Sequence, residues 1–162
     1  MSNTSKFNVY NDVDNMLNRP TQPFKGAQHR GVDFAKAAHS PYRAIKPGKV
    51  TGVWHSPTLG NIVEVSSAFT SIAYAHVLDP VKIGHRVRYT GGPIGKIAGP
   101  NDNYATGSIT DGNHEHIALQ NRRGGYYNGD IGKNPISLIN SVRRSVIRQA
   151  NKYGKRIAKG KL

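Results

Sequence analysis

Between Phe24 and Leu138 the hydrophobic residues come in short runs of four to eight, each closed by Gly, Pro, Asn or Asp. Gly48-Lys49-Val50-Thr51-Gly52-Val53-Trp54, Gly60-Asn61-Ile62-Val63-Glu64-Val65, Ser71-Ile72-Ala73-Tyr74-Ala75-His76-Val77 and His85-Arg86-Val87-Arg88-Tyr89 follow one another with turn residues between them. Runs this short, rich in Val, Ile and Tyr, cannot make core helices; they predict an antiparallel all-β body. The 18 glycines and 9 prolines fit the many tight turns such a body needs. No run approaches the roughly 18 apolar residues of a membrane span. With 162 residues the chain is one domain, or one domain with an appendage.

The two ends read differently. Residues 1–22 form a lead-in, in which Asp12 to Leu17 could make a turn or two of helix. Asn134-Pro135 is suited to an N-cap and first helical position. Beyond it Leu138, Val142, Val146, Ala150, Tyr153 and Ile157 recur at helical spacing, giving an apolar stripe with the arginines largely opposite. The expected organisation is therefore a lead-in over 1–22, a body over 23–138 and a basic amphipathic helix over 139–162.

Charge follows the same division. Residues 1–136 carry 15 Lys+Arg against 9 acids, a net of +6, whereas residues 137–162 carry 8 Lys+Arg and no acid, a net of +8. A total of +14 favours a polyanionic setting such as nucleic acid, anionic lipid or wall polymer. Nucleic acid is disfavoured, because the tail lacks the interleaved aromatics of a stacking platform and Tyr153 stands alone there. The tail helix has two compatible readings: its stripe packs on the β body, and its charged face docks on anionic wall polymer or membrane.

With no cysteine, disulfides and thiolate metal sites are excluded, and any metal must rest on His and carboxylate ligands. Seven histidines are present: His29, His39, His55, His76, His85, His114 and His116. Two groupings stand out. In His29-Arg30-Gly31-Val32-Asp33 an imidazole and a carboxylate can converge if the chain bends at Gly31. In His114-Glu115-His116, alternation along a strand turns both imidazoles to one face and Glu115 to the other. Taken alone, the second grouping is equally a polar strand face. Together the groupings offer two His and one Asp with a coordination position to spare, the pattern of catalytic rather than structural zinc. A further imidazole would remain beside the metal for acid–base work. His76 is an additional candidate, and Tyr74, two residues earlier on the expected strand, reads as core.

In this order the residues resemble the lysostaphin/LytM-type zinc endopeptidases of bacterial peptidoglycan, from about Pro23 to Leu138. His29-Arg30-Gly31-Val32-Asp33 matches His-x-Gly-x-Asp; Pro41, Ala44 and Gly48-Lys49-Val50 follow; Tyr74-Ala75-His76-Val77 is similar to Tyr-Ala-His-Leu. Val81 to Val87 is similar to Val-x-x-Gly-Asp-x-Val, and Ile94-Gly95, Gly99, Thr106-Gly107, Gly112 and His114-Glu115-His116 complete the series. The chain departs from the pattern in a short Phe24–His29 segment, in His85 at a usual Asp, and in Ile117-Ala118-Leu119 after the last His.

The resemblance implies an antiparallel β-sheet or sandwich with a groove holding Zn2+ on His29, Asp33 and His116. It implies His114 as the acid–base residue and His76 as a second catalytic imidazole, orienting water or stabilising the oxyanion. The implied activity is hydrolysis of a stem-peptide or cross-bridge bond by a monomeric enzyme acting at the bacterial wall. A silent wall-binding domain of the same fold is the alternative. Met1 to Tyr10 hold no apolar signal region. That favours a phage lysin, released through holin pores or carried on the virion.

Overall fold

The computed structural model describes residues 20–108, 110, 113–120 and 134–158. The expected turn at Asp12 to Leu17 and most of the 1–22 lead-in lie outside these residues, as does Gly112. Nine strands are present among the described residues: β1 Val32–Ala35, β2 Pro41–Arg43, β3 Gly48–Ser56, β4 Gly60–Ser66, β5 Ser71–Ala75, β6 Val77–Leu78, β7 Arg86–Val87, β8 Pro93–Ile97 and β9 His114–Gln120. A one-turn helix, α1 (Asn103–Thr106), precedes β9, and a long one, α2 (Ile136–Ala158), follows it. No described helix is long and apolar enough to cross a membrane.

All strand pairings are antiparallel. Six strands form one sheet in the order β1-β9-β5-β4-β3-β7, and β2-β8-β6 form a second. The pleat divides the large sheet into two faces. One carries Val32, Phe34, Val63, Val65, Ile72, Tyr74 and Ile117, which join Tyr42, Ile94 and Ile97 of the small sheet in the main core. The other carries Ile62, Ala73, Ala75 and Ala118, with Trp54 and Leu59 packed against them. Asp33 and His116 share this second face, being directly paired across β1 and β9.

Two expected strands are cut short. Ser71–Val77 is broken at His76, whose left-handed backbone (φ 63°) ends β5 and lets β6 turn into the small sheet. His85–Tyr89 contracts to Arg86–Val87, which pairs only with Gly48 and Lys49.

The Asn134 side-chain oxygen accepts the Ile136 N–H at 3.0 Å, so Asn134-Pro135 opens α2 as the sequence predicts. The buried stripe of α2 centres on Ile139, which the periodic series passed over. Ile139 and Val146 belong to the main core, with Leu138 and Val142 packed at its margin. The first half of the basic helix is therefore seated on the β body.

Candidate active site

Antiparallel pairing does most of the assembly. Asp33 lies opposite His116, and Ala35 opposite His114, so two strands separated by some eighty residues of sequence deliver three functional side chains to one spot. His29 arrives from the loop before β1. That loop is closed by the Lys25 N–H donating to His29 O at 2.8 Å, and by His29 Nδ1 donating to Pro23 O at 2.7 Å. A carbonyl can only accept, so Nδ1 carries a hydrogen and Nε2 is the ring atom turned toward Asp33.

His29 Nε2 is 3.2 Å from Asp33 Oδ2, and His116 Nδ1 is 2.8 Å from Asp33 Oδ1. One ligand atom from each of His29, Asp33 and His116 lies within 4.8 Å of the others. A lone pair on His29 facing a carboxylate oxygen is repulsive unless a proton or a cation stands between them. The donor set, two imidazoles and one carboxylate with Asp33 and His116 buried, fits a zinc-like cation.

Gly31 makes this convergence sterically possible. A Cβ there would lie 2.5 Å from His116 Nε2 and 2.8 Å from Ile117 O. The His116 ring occupies the space a side chain would need, and its Nε2 is buried there without a hydrogen-bond partner. Burial raises the Asp33 carboxyl, but the hydrogen bond from His116 and the charges of His116, His114 and His29 outweigh it and hold the group below the ordinary carboxylate range.

The other two candidates join the same cluster. His114 Nε2 lies 3.8 Å from Asp33 Oδ2, and the His114 ring is 4.7 Å from that of His76. The His76 ring centroid is 5.9 Å from that of His116. His76 Nδ1 donates to Thr106 O at 2.6 Å, leaving the lone pair on Nε2. Burial, reinforced by His114 and His116, pushes its pKa down to about 3, against the pull of the Thr106 carbonyl. It is a neutral imidazole across the physiological range.

Five sequence candidates are thus brought together, and three histidines are not. His39 pairs with Asp102 at 2.8 Å, His55 stacks on Tyr104 with centroids 4.0 Å apart, and His85 is exposed beside β7. Regular alternation would have placed His76 with Tyr74. The turn at His76 separates them, and Tyr74 is a core residue whose hydroxyl accepts the Ile45 N–H at 3.0 Å. Glu115 points to the opposite face and is fully buried, as strand alternation predicts.

The supporting contacts were not visible beforehand. Pro23 and Thr106 act through backbone carbonyls, which carry no residue signature. Tyr42, buried behind β9, donates its hydroxyl to His116 O at 3.2 Å. Thr106 is seated by close backbone packing: a Cβ on Gly60 would collide with Ala105 O, and one on Gly107 with Thr58 O.

Solved structures share this architecture. LytU superposes with a TM-score of 0.62 at 25% identity, covering 76% of this chain and 85% of LytU. The catalytic domain of the antimicrobial peptidase lysostaphin from Staphylococcus simulans gives 0.55 at 23% identity, covering 69% of this chain and 79% of that domain. A zinc-containing peptidase from Vibrio cholerae gives 0.52 at 28% identity, covering 64% of this chain but 34% of its own length. No protein-family model and no curated protein sequence matches the chain.

Proposed function

We propose that this chain, which has the fold of the lysostaphin/LytM-type peptidases, is a zinc-dependent endopeptidase that hydrolyses peptide bonds of bacterial peptidoglycan, in the stem peptide or the cross-bridge. The observation that carries this reading is the convergence of His29 Nε2, the Asp33 carboxylate and His116 Nδ1, with two further imidazoles beside them. His29, Asp33 and His116 would hold the ion. Zinc bound there would polarise the scissile carbonyl and bring the pKa of a coordinated water toward about 7.

The chain's own groups divide the remaining work. His114, half-buried beside Asp33, takes the proton of the attacking water and returns it to the leaving amine. His76 carries its hydrogen on the Thr106 side, so its Nε2 accepts a hydrogen bond and orients that water. Donating to an oxyanion would require the imidazolium, which burial disfavours and a nearby cation would disfavour further. Of the two roles open to His76, orientation of water fits the geometry better. The exposed Arg144, Arg148 and Lys152 on α2 support docking on anionic wall polymer.

The test is mass spectrometry of fragments released from several purified peptidoglycans, with a chelator control and zinc restoration. His29→Ala and His116→Ala should lose both zinc and lysis. His76→Ala and His114→Ala should keep zinc and lose lysis by at least about a hundredfold, the usual scale of acid–base catalysis. Near-normal lysis by His114→Ala would overturn the assignment of the base.

A further inference from the structure

Three acids lie on strands of the large sheet: Asp33, Glu64 and Glu115. Glu115 faces the core, Asp33 belongs to the histidine cluster, and Glu64 remains without a role. Register places it on the cluster's face. Ile62 pairs with Ala75 and Ala75 with His116, while one step along the strands Glu64 pairs with Ala73 and Ala73 with Ala118. Two strand spacings across and two residues along put Glu64 about 12 Å from His116, the span of three or four residues of extended peptide.

Glu64 is 7% exposed. Thr51 Oγ1 donates to Oε1 at 2.6 Å, and the hydroxyl series continues from Thr51 to Ser66 at 2.7 Å and from Ser66 to the buried Ser71 at 2.9 Å. No described lysine, arginine or histidine forms an ion pair with it. Hydroxyl hydrogen bonds offset only part of the cost of burying a carboxylate, and a matched cation offsets more. The neighbours across the sheet are small, Ala73 on one side and Gly52 on the other. The Trp54 ring lies over Gly52, where a Cβ would meet it at 2.7 Å. On a chain of net charge +14, attraction for a cation here is a local property.

We infer that Glu64, held by Thr51, forms a specificity subsite for a primary ammonium group on the substrate peptide, three or four residues from the scissile bond. This rests on the peptidase reading above. The ligand class is a cell-wall peptide bearing a free amine, on a side chain or at an unlinked N-terminus.

Binding and cleavage are measured separately. Calorimetry uses the zinc-loaded full chain carrying His114→Ala, so that the peptide is not cut. The probes are a cell-wall stem peptide with one free amine and its N-acetylated counterpart. The free amine should bind about tenfold to a hundredfold more tightly, and Glu64→Gln should bind both peptides alike. Equal binding of the two peptides by the His114→Ala parent, or an undiminished preference in Glu64→Gln, would overturn the subsite. Should Glu64→Gln not fold, Glu64→Asp keeps the charge but withdraws it by one methylene. A severalfold loss of preference then supports the inference, and an unchanged preference overturns it. A binding preference without any hydrolysis by the unsubstituted chain would fault the peptidase reading and leave the subsite standing.

Discussion

An imidazole whose Nδ1 donates to a carbonyl turns Nε2 toward the site as its remaining polar atom, and the His29 and His76 rings are both oriented in that way. His29 Nε2 faces the Asp33 carboxylate at 3.2 Å, a spacing that a shared proton or cation would bridge. Gly31 is the residue on which this most directly depends. Gly31→Ala would place a methyl group 2.5 Å from His116 Nε2, forcing the ring away from Asp33. We expect zinc affinity to fall by at least tenfold, the scale of a displaced metal ligand or its support, with a smaller effect on melting temperature. Competition with a chromophoric chelator measures the first quantity and calorimetry the second; unchanged zinc affinity would show that the ring has room to shift. The metal-binding candidates were legible because His-x-Gly-x-Asp and His-x-His report residue type and geometry together. Their anchors were not, because Pro23 and Thr106 contribute a carbonyl that any residue possesses.

At the scale of elements, alternation along β9 was readable and correct, whereas alternation through β5 failed at one residue. His76 adopts φ 63°, and the conformation is fixed from outside its own strand: its N–H reaches Leu59 O and its carbonyl accepts from Ala98 N. No local pattern encodes those partners. The loop from Gly99 to Thr106 is held by Asp102, whose Oδ2 accepts from Gly99 N at 2.7 Å and from His39 Nε2 at 2.8 Å. The Gly99 bond and His39 together hold its carboxyl below the ordinary value. A depressed carboxylate pKa contributes stability that is present above the unfolded value and lost as pH falls through the folded one. Asp102→Asn should therefore melt lower than the parent at neutral pH, with the gap beginning to narrow below about pH 4 and closing as pH falls through the lower folded value; a gap that does not narrow at all on acidification below about pH 4 would contradict the pairing. The α2 stripe was legible in period but not in phase, because Ile139 fits the helix face as well as Leu138 does and only the β body chooses between them. Ile139 is fully buried, so Ile139→Ala should destabilise the whole chain by about 2–4 kcal/mol. Chemical denaturation followed by the single tryptophan, Trp54, tests whether the β body shares that loss. A normal midpoint would mean that the helix is an independent appendage.

For the whole molecule, charge and chemistry are carried by different parts of one fold. The cluster at His29, Asp33, His76, His114 and His116 owes nothing to the net +14, while α2 seats Ile139 and Val146 in the core and leaves Arg144, Arg148 and Lys152 exposed. Packing and docking are therefore compatible: the apolar stripe fixes the helix, and fixing it presents the cations as a surface rather than as a loose tail. Exposed charges act through solvent and are screened within about 8–10 Å at physiological salt, so attraction to an anionic wall should fall steeply as salt rises. Neutralising Arg144, Arg148 and Lys152 to Gln touches neither the core nor the histidine cluster. The triple variant should sediment with purified walls less than the parent at low salt and equally at high salt. Its turnover of a small soluble wall peptide should be unchanged, because a small substrate needs no docking. Loss of turnover on that soluble peptide would place the helix in the catalytic machinery. Undiminished sedimentation at low salt would move the wall contact away from Arg144, Arg148 and Lys152, to the β body or to the five other cations of residues 137–162.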